Sequence, residues 1–260
     1  MSLREDLERA GNLLFRWRSY IPLAFLVLVF LPLHPLAKPN TGRRYGHGTN
    51  FEHHWKLICL RVSFFGLLIR SITVGLVPSG TSGRNTRMQR ARTLNTTGMY
   101  SIVRHPLYLG NFFVGFGIAL FCSSVWLALV FCLLFVVYYE RIMFAEEEFL
   151  RKKFGLEFES WAACTPAFLP RFRRWRWPKG TFSIRRVLRK ENSTYFGTIA
   201  VLTLIEVSES VVNRQKFQLE STWAIIFGLA LLTYAVLYAL KKFGWLETYA
   251  APPPRTAPSA

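Results

Sequence analysis

The stretch Gly98–Asn111, "GMYSIVRHPLYLGN", places an arginine, a histidine and two tyrosines at the entrance of an apolar segment. Pro106 suits the first position of a helix, because the N–H it lacks has no partner there and its φ is preset. A helix beginning at that point offers free backbone N–H groups and a partial positive charge, a ready site for a carboxylate or a phosphate. Arg104 and His105 flank that start, and Tyr108 lies within the first turn. Further on, "RIMFAEEEFLRKKFG" sets Glu146, Glu147 and Glu148 in succession where another apolar segment ends. Carboxylates at the C-terminal end of a helix oppose its dipole, so they call for a partner. Only "SS" separates the two apolar segments, so they form a hairpin, and the entrance of one must neighbour the exit of the other. A cationic, anion-binding helix start then lies beside a carboxylate cluster. A zwitterion carrying an ammonium and a carboxylate fits such a pair. A plainer account stands beside this one. Basic residues and a helix-starting proline are ordinary at a membrane border, and the glutamates can pair with Arg151, Lys152 and Lys153 at helical spacing. Different carboxylates can serve both purposes.

The elements that position these residues follow from the composition. The 260-residue chain has a net charge of +18 and is 51% hydrophobic. A basic chain ordinarily suggests nucleic-acid binding, but charge and apolar residues here are segregated in blocks, the pattern of a multi-span membrane protein. Six apolar segments reach or approach the length of a span: Tyr20–Ala37, Trp55–Val77, Pro106–Cys122, Val125–Ile142, Thr194–Val212 and Thr222–Leu240. Lys and Arg concentrate before the first, between the second and third, between the fourth and fifth, and after the sixth. The positive-inside rule then places both termini and the Arg-His-Pro step on the cytoplasmic side. The charged N-terminal stretch reads as roughly helical, not as a cleavable signal peptide. The organisation expected is residues 1–93 with the N-terminal helix and two spans, 94–170 as a core unit around the hairpin, 171–250 as a basic-aromatic linker with two spans, and 251–260 as a disordered Pro/Ala-rich tail. The four cysteines show no metal-ligand spacing and suggest no disulfide framework. No metal site is expected.

Charged residues inside apolar segments are costly unless paired or facing a cavity. Arg70 is expected to face a cavity and bind an anionic head group. Arg61 is expected to pair with Glu206 or Glu209, which lie on one face of the fifth span. Arg84, Arg87, Arg90 and Arg92 suit phosphate recognition or the anionic membrane surface. The run "RFRRWRWPK", Arg171–Lys179, suits an interfacial anchor. Gly115 and Gly117 suit close helix packing.

The motif residues carry a family resemblance. Gly98, Tyr100, Arg104, His105, Pro106, Tyr108 and Gly110, followed by Glu146, Glu147, Leu150, Phe154 and Gly155, resemble the isoprenylcysteine carboxyl methyltransferase superfamily, which includes phospholipid methyltransferases. The likeness covers about a third of the chain, roughly Leu94–Pro170. It implies an integral-membrane enzyme using S-adenosylmethionine, whose methionyl part is a zwitterion of the kind described. Carried over, Arg104, His105, Pro106, Tyr108 and Gly110 would contact that cofactor, with Glu146 and Glu147 near its ammonium. Where the family often has tyrosines after the Phe-Gly step, this chain has Phe158 and Trp161, and no polar role is expected of them. The upstream "SGTSGRNTRMQRARTLNTTG" resembles bacterial members that methylate the 1-phosphate of Kdo-lipid A.

The expectation is therefore an all-α integral membrane protein of about six spans, with the cofactor site at the cytoplasmic end of the hairpin. It would methylate an anionic lipid, lipid A 1-phosphate by preference, in a bacterial inner membrane. Arg70 and Arg104 are the expected catalytic side chains. Transfer from a sulfonium needs positioning and desolvation of the nucleophile more than a base, and an already anionic oxygen suits a site with many arginines. A prenylcysteine-type carboxyl methyltransferase, a phospholipid N-methyltransferase and a non-catalytic transporter or assembly factor are the alternatives.

Overall fold

The computed structural model describes residues 3–18, 49–77, 91, 93–178, 180–214 and 219–246. Among these the chain is all-helical: α1 Leu3–Trp17, α2 Thr49–Leu76, α3 Pro106–Phe121, α4 Val125–Phe154, α5 Leu156–Cys164, α6 Ile184–Arg214 and α7 Ser221–Lys242. Helices stand at five of the six expected spans; the expected first span lies outside the described residues. Three of them, His53–Leu76, Val125–Phe154 and Ser221–Lys242, are long and apolar enough to cross a membrane, and α3 is a shorter apolar helix. The outward faces of α4 and α7 are apolar too, with Trp126, Leu133, Val136, Ile225, Leu229 and Leu232 exposed. A helix that is apolar all round belongs in lipid.

The hairpin turn is as short as the sequence requires. Cys122 caps α3, Ser123 takes a positive φ of 51°, and the Ser124 hydroxyl caps α4 by accepting from the Leu127 N–H at 3.4 Å. Helix α4 does not stop at Ile142, where the expected span ends. It runs on through the glutamates to Phe154, about 45 Å in all at 1.5 Å per residue. Its last three turns carry Glu146 and Glu147 to the start of α3. Gly155, at φ 53°, then turns the chain into α5; only glycine holds that backbone without strain.

Helices α2 and α3 pack most closely. A Cβ on Gly66 would lie 2.5 Å from the Gly110 carbonyl oxygen and 2.7 Å from the Val114 nitrogen, while Gly117 abuts Ser63 and the Cys59 carbonyl. The expected packing role is thus seen for Gly117 against α2 and for Gly115, which makes room for the Phe131 ring of α4. Because the atoms facing Gly66 are backbone, they cannot swing aside. Gly66→Ala is expected to cost about 1–3 kcal/mol, the range for overpacking, read as a lower thermal midpoint in detergent.

The N-terminal helix lies along the extended part of α4. Arg4 pairs with Glu148 at 2.6 Å, Lys152 with Glu8 at 2.5 Å, and the Tyr138 hydroxyl donates to the Leu14 carbonyl at 3.2 Å. On the other side, α6 crosses α2, and α7 packs on α6 through Phe196, Phe227 and Tyr234. Helix α6 starts ten residues before the expected span, at Ile184. Arg186 in its first turn donates to the last carbonyls of α2, those of Gly75 and Val77.

The expected Arg61 tie is not formed. Arg61 is exposed on α2, and Lys56 instead bonds Glu206 and lies 3.4 Å from Glu209. Five residues separate Lys56 from Arg61, which turns the latter about 140° away around the helix.

Candidate active site

The Arg-His-Pro step and the glutamates meet at the foot of the hairpin. Arg104 donates to Glu147 Oε2 at 2.9 Å, the His105 Nε2 lies 2.9 Å from Glu147 Oε1, and the Tyr108 hydroxyl donates to Glu146 Oε1 at 2.7 Å. His105 Nδ1 and Arg18 approach Glu146 at 3.6 and 3.7 Å. Successive residues on a helix point about 100° apart, so the run divides. Glu146 and Glu147 face α3, while Glu148, only 2% exposed, faces α1 and pairs with Arg4 and Arg151. The plainer pairing with Arg151 is thus seen for Glu148, while Glu146 and Glu147 stand beside the start of α3.

The motif loop is held from behind by the segment after α5. Arg104 and His105 N–H groups donate to the carbonyls of Pro166 and Ala167 at 2.8 and 3.3 Å, and Arg171 N–H donates to Ile102 at 2.9 Å. Gly98, at φ 60°, opens the 3-10 turn Gly98–Ser101 and donates to the Arg176 carbonyl at 2.8 Å. At the helix start itself the Tyr108 and Leu109 N–H groups both donate to the His105 carbonyl at 3.1 Å. Trp161 corrects a second expectation. Its indole N–H donates to the Tyr100 carbonyl at 3.1 Å, so the aromatic after the Phe-Gly step does take a polar role. The run after Pro170 keeps its backbone against the loop while Phe172, Trp177 and its arginines point outward.

Electrostatics at this foot favour defined protonation states. Burial alone would lower the His105 pKa, but hydrogen bonds to Glu146 and Glu147 outweigh it, and the pKa is raised above 6.5. Burial, with the charge of Glu146 second, raises that of Tyr100, so its hydroxyl stays protonated. A raised histidine pKa favours the folded state while the imidazolium persists. That contribution is full below about pH 6.5, the unfolded value, and is lost as pH rises through the higher folded value. The wild-type melting temperature is expected to fall over that alkaline interval more than that of His105→Gln, measured in detergent.

A second polar group lies deeper, where the sequence pointed only to Arg70. Its Nε and Nη2 donate to the two oxygens of Glu191 at 2.8 and 3.0 Å, and its Nη1 donates to Asn111 Oδ1. Asn111 Nδ2 donates to the Tyr139 hydroxyl oxygen at 3.0 Å, and the Tyr139 ring lies 4.8 Å from that of Tyr108. The fork of Arg70 is thus held by protein side chains. Gly110 sits beside it, with a would-be Cβ 2.5 Å from Arg70 Cγ; its small size admits the arginine between α2 and α3. Sequence reasoning missed Glu191, Asn111 and Tyr139. A lone glutamate in the first turns of a long helix was the available signal. Arg84, Arg87, Arg90 and Arg92 lie outside the described residues.

The structure is thus an apolar helical hairpin with basic and acidic side chains gathered at one end. Residues 60–157 match the sequence model of the family described as phospholipid methyltransferase, part of the superfamily that the motif resembles. Over 88 residues the chain is 38% identical to the nickel-cobalt-cadmium resistance protein NccN of Alcaligenes xylosoxydans xylosoxydans, covering 34% of this chain and 41% of that protein. It is 36% identical over 88 residues to the cobalt-zinc-cadmium resistance protein CzcN of Cupriavidus metallidurans, covering 34% of this chain and 40% of that one. The chain thus spans about two fifths of the length of the curated relatives it matches. No solved structure matches. The metals in the relatives' names belong to those proteins; among the described residues no three His, Cys, Asp or Glu side chains are grouped to hold a metal ion.

Proposed function

We propose that this protein is an integral-membrane methyltransferase that uses S-adenosylmethionine and methylates an anionic lipid head group. The observation that carries the reading is the convergence of Arg104, His105 and Tyr108 with Glu146 and Glu147 at the foot of the α3–α4 hairpin. The donor set fits the cofactor. The Arg104 Nε is buried with no hydrogen-bond partner, and a buried unpartnered donor is rare unless a ligand completes it. Arg104 would hold the methionyl carboxylate and Glu146 and Glu147 its ammonium, with His105 and Pro106 shaping the helix start. When bound, the cofactor supplies a methyl group on a sulfonium. The chain's own work is to orient the acceptor and exclude water. A phosphate or carboxylate oxygen needs no base, and both glutamates are already engaged by Arg104, His105 and Tyr108.

Arg70 organises the acceptor side, one helix turn deeper. The protein is read as lying in a bacterial inner membrane with six spans, both termini and this site facing the cytoplasm. The outward arginines and Trp177 of the 171–178 segment suit the anionic lipid surface. The transporter alternative drew its support from Arg61, Glu206 and Glu209 inside the spans; both glutamates are tied to Lys56 of α2, which gives them a structural partner.

The test uses membranes from cells expressing the protein and methyl-labelled S-adenosylmethionine. Label in extracted lipid that survives mild base and is lost with the acid-labile 1-phosphate supports methylation of lipid A. Label released by base as methanol indicates a carboxyl ester. Label stable to both indicates an amine. Absence of lipid label overturns the lipid-methyltransferase reading.

A further inference from the structure

Hydrogen-bond polarity along the deep network is fixed by the types of its members. Arginine has donors and no acceptor. The side chain of Asn111 must therefore turn its oxygen to Arg70, which leaves its amide to donate to Tyr139. The Tyr139 oxygen is the acceptor of that bond, so Asn111 does not consume its proton. A phenolic O–H lies in the ring plane, and the hydrogen must occupy the in-plane direction that Asn111 does not use. Glu191, 2% exposed, clamps the arginine that starts the chain. The ring of Tyr139 is buried, stacks on Phe135 at 4.1 Å and leans on Tyr108. The network thus leaves one neutral O–H donor between the Arg70 group and the ring of Tyr108 at the foot.

We propose that Tyr139 is a catalytic residue whose hydroxyl donates to the anionic oxygen that accepts the methyl group, with Glu191, Arg70 and Asn111 as the positioning residues that set its direction. This inference rests on the methyltransferase reading above. It assigns to the buried Arg70 an indirect part: the acceptor meets a tyrosine hydroxyl held in place by the arginine, not a free guanidinium. A neutral donor orients an oxyanion without neutralising it, and so leaves it nucleophilic.

The polarity is testable without turnover. Ultraviolet resonance Raman difference spectra, wild type minus Tyr139→Phe, isolate this tyrosine. The intensity ratio of its Fermi doublet is high when the oxygen accepts a strong bond and low when the hydroxyl donates. The resting protein in phosphatidylcholine nanodiscs is expected to show a high ratio. Asn111→Asp, which can only accept from Tyr139, is expected to lower it; if that variant does not fold, Asn111→Leu removes the incoming bond and is expected to lower it as well. Adding phosphatidic acid, a phosphomonoester lipid, is expected to lower the wild-type ratio. A low resting ratio, no change at Asn111, or no response to phosphatidic acid overturns the proposal. Tyr139→Phe is further expected to raise the acceptor KM about 10- to 100-fold, the loss of one hydrogen bond to a charged group, with cofactor affinity unchanged; an unchanged acceptor KM also overturns it. Failure of the cofactor to bind the wild-type protein sinks the methyltransferase reading instead, and the Raman ratio still reports the direction of the hydroxyl.

Discussion

Glu147→Ala is expected to reduce S-adenosylmethionine binding by about 100-fold or more, the effect of losing two charge-assisted hydrogen bonds. Glu147 holds both Arg104 and His105, whose side chains are 19% and 6% exposed. Without it two cationic groups crowd each other with one fewer counter-charge, and the Arg104 fork loses its aim. Isothermal titration in detergent measures the loss. Glu148→Ala is the informative comparison, because Glu148 faces Arg4 and Arg151 on the α1 side. It is expected to lower the melting temperature while leaving cofactor affinity within about twofold, since stability and site geometry are carried by different faces of one helix. Equal losses of affinity in the two variants would mean that the site is not at the α3–α4 foot.

Glu191→Ala is expected to destabilise the protein by about 3–5 kcal/mol, the cost of stranding one member of a buried ion pair. Glu191 is 2% exposed and Arg70 12%, and the two meet through both carboxylate oxygens. The double replacement Arg70→Met with Glu191→Leu removes both charges and is expected to regain most of that stability. It is not expected to regain methyl transfer, because Asn111 then has no donor to fix its orientation. Denaturation in mixed micelles reads the first effect, and label transfer to lipid reads the second. Recovery of activity together with stability would show that the pair only ties α6 to α2.

The site was legible in the sequence where local geometry decides contact. A two-residue turn between two apolar segments leaves their far ends no choice but to be neighbours. So the helix start with Arg104, His105 and Tyr108 could be set beside the Glu146–Glu148 cluster from spacing, while the resemblance singled out Glu146 and Glu147, and contacts between these residues are there. The split of the glutamate run follows from the helical step in the same way. The positions of Gly98 and Gly155 in the motif also make local sense, as both take a positive φ.

Pairings between elements far apart in the chain were decided by tertiary structure. Arg70 and Glu191 are 121 positions apart, and Lys56 and Glu206 are 150 apart. Hydropathy marks such residues as costly in a span, but it does not give the rotation of one helix against another. That rotation is set by side-chain volumes at the crossing, here by Gly66, Gly110 and Gly117, which let α2 and α3 approach until Arg70 lies beside Asn111. The same packing turned Lys56, not Arg61, toward α6. Sequence alone determined that this is a basic, helical membrane protein with a charged site at a hairpin's foot. Only the packing of α2, α3 and α6 decided that its buried arginine is clamped by a glutamate and bonded to an asparagine that reaches a tyrosine, because a buried charge takes whichever partner the close-packed helices bring within reach.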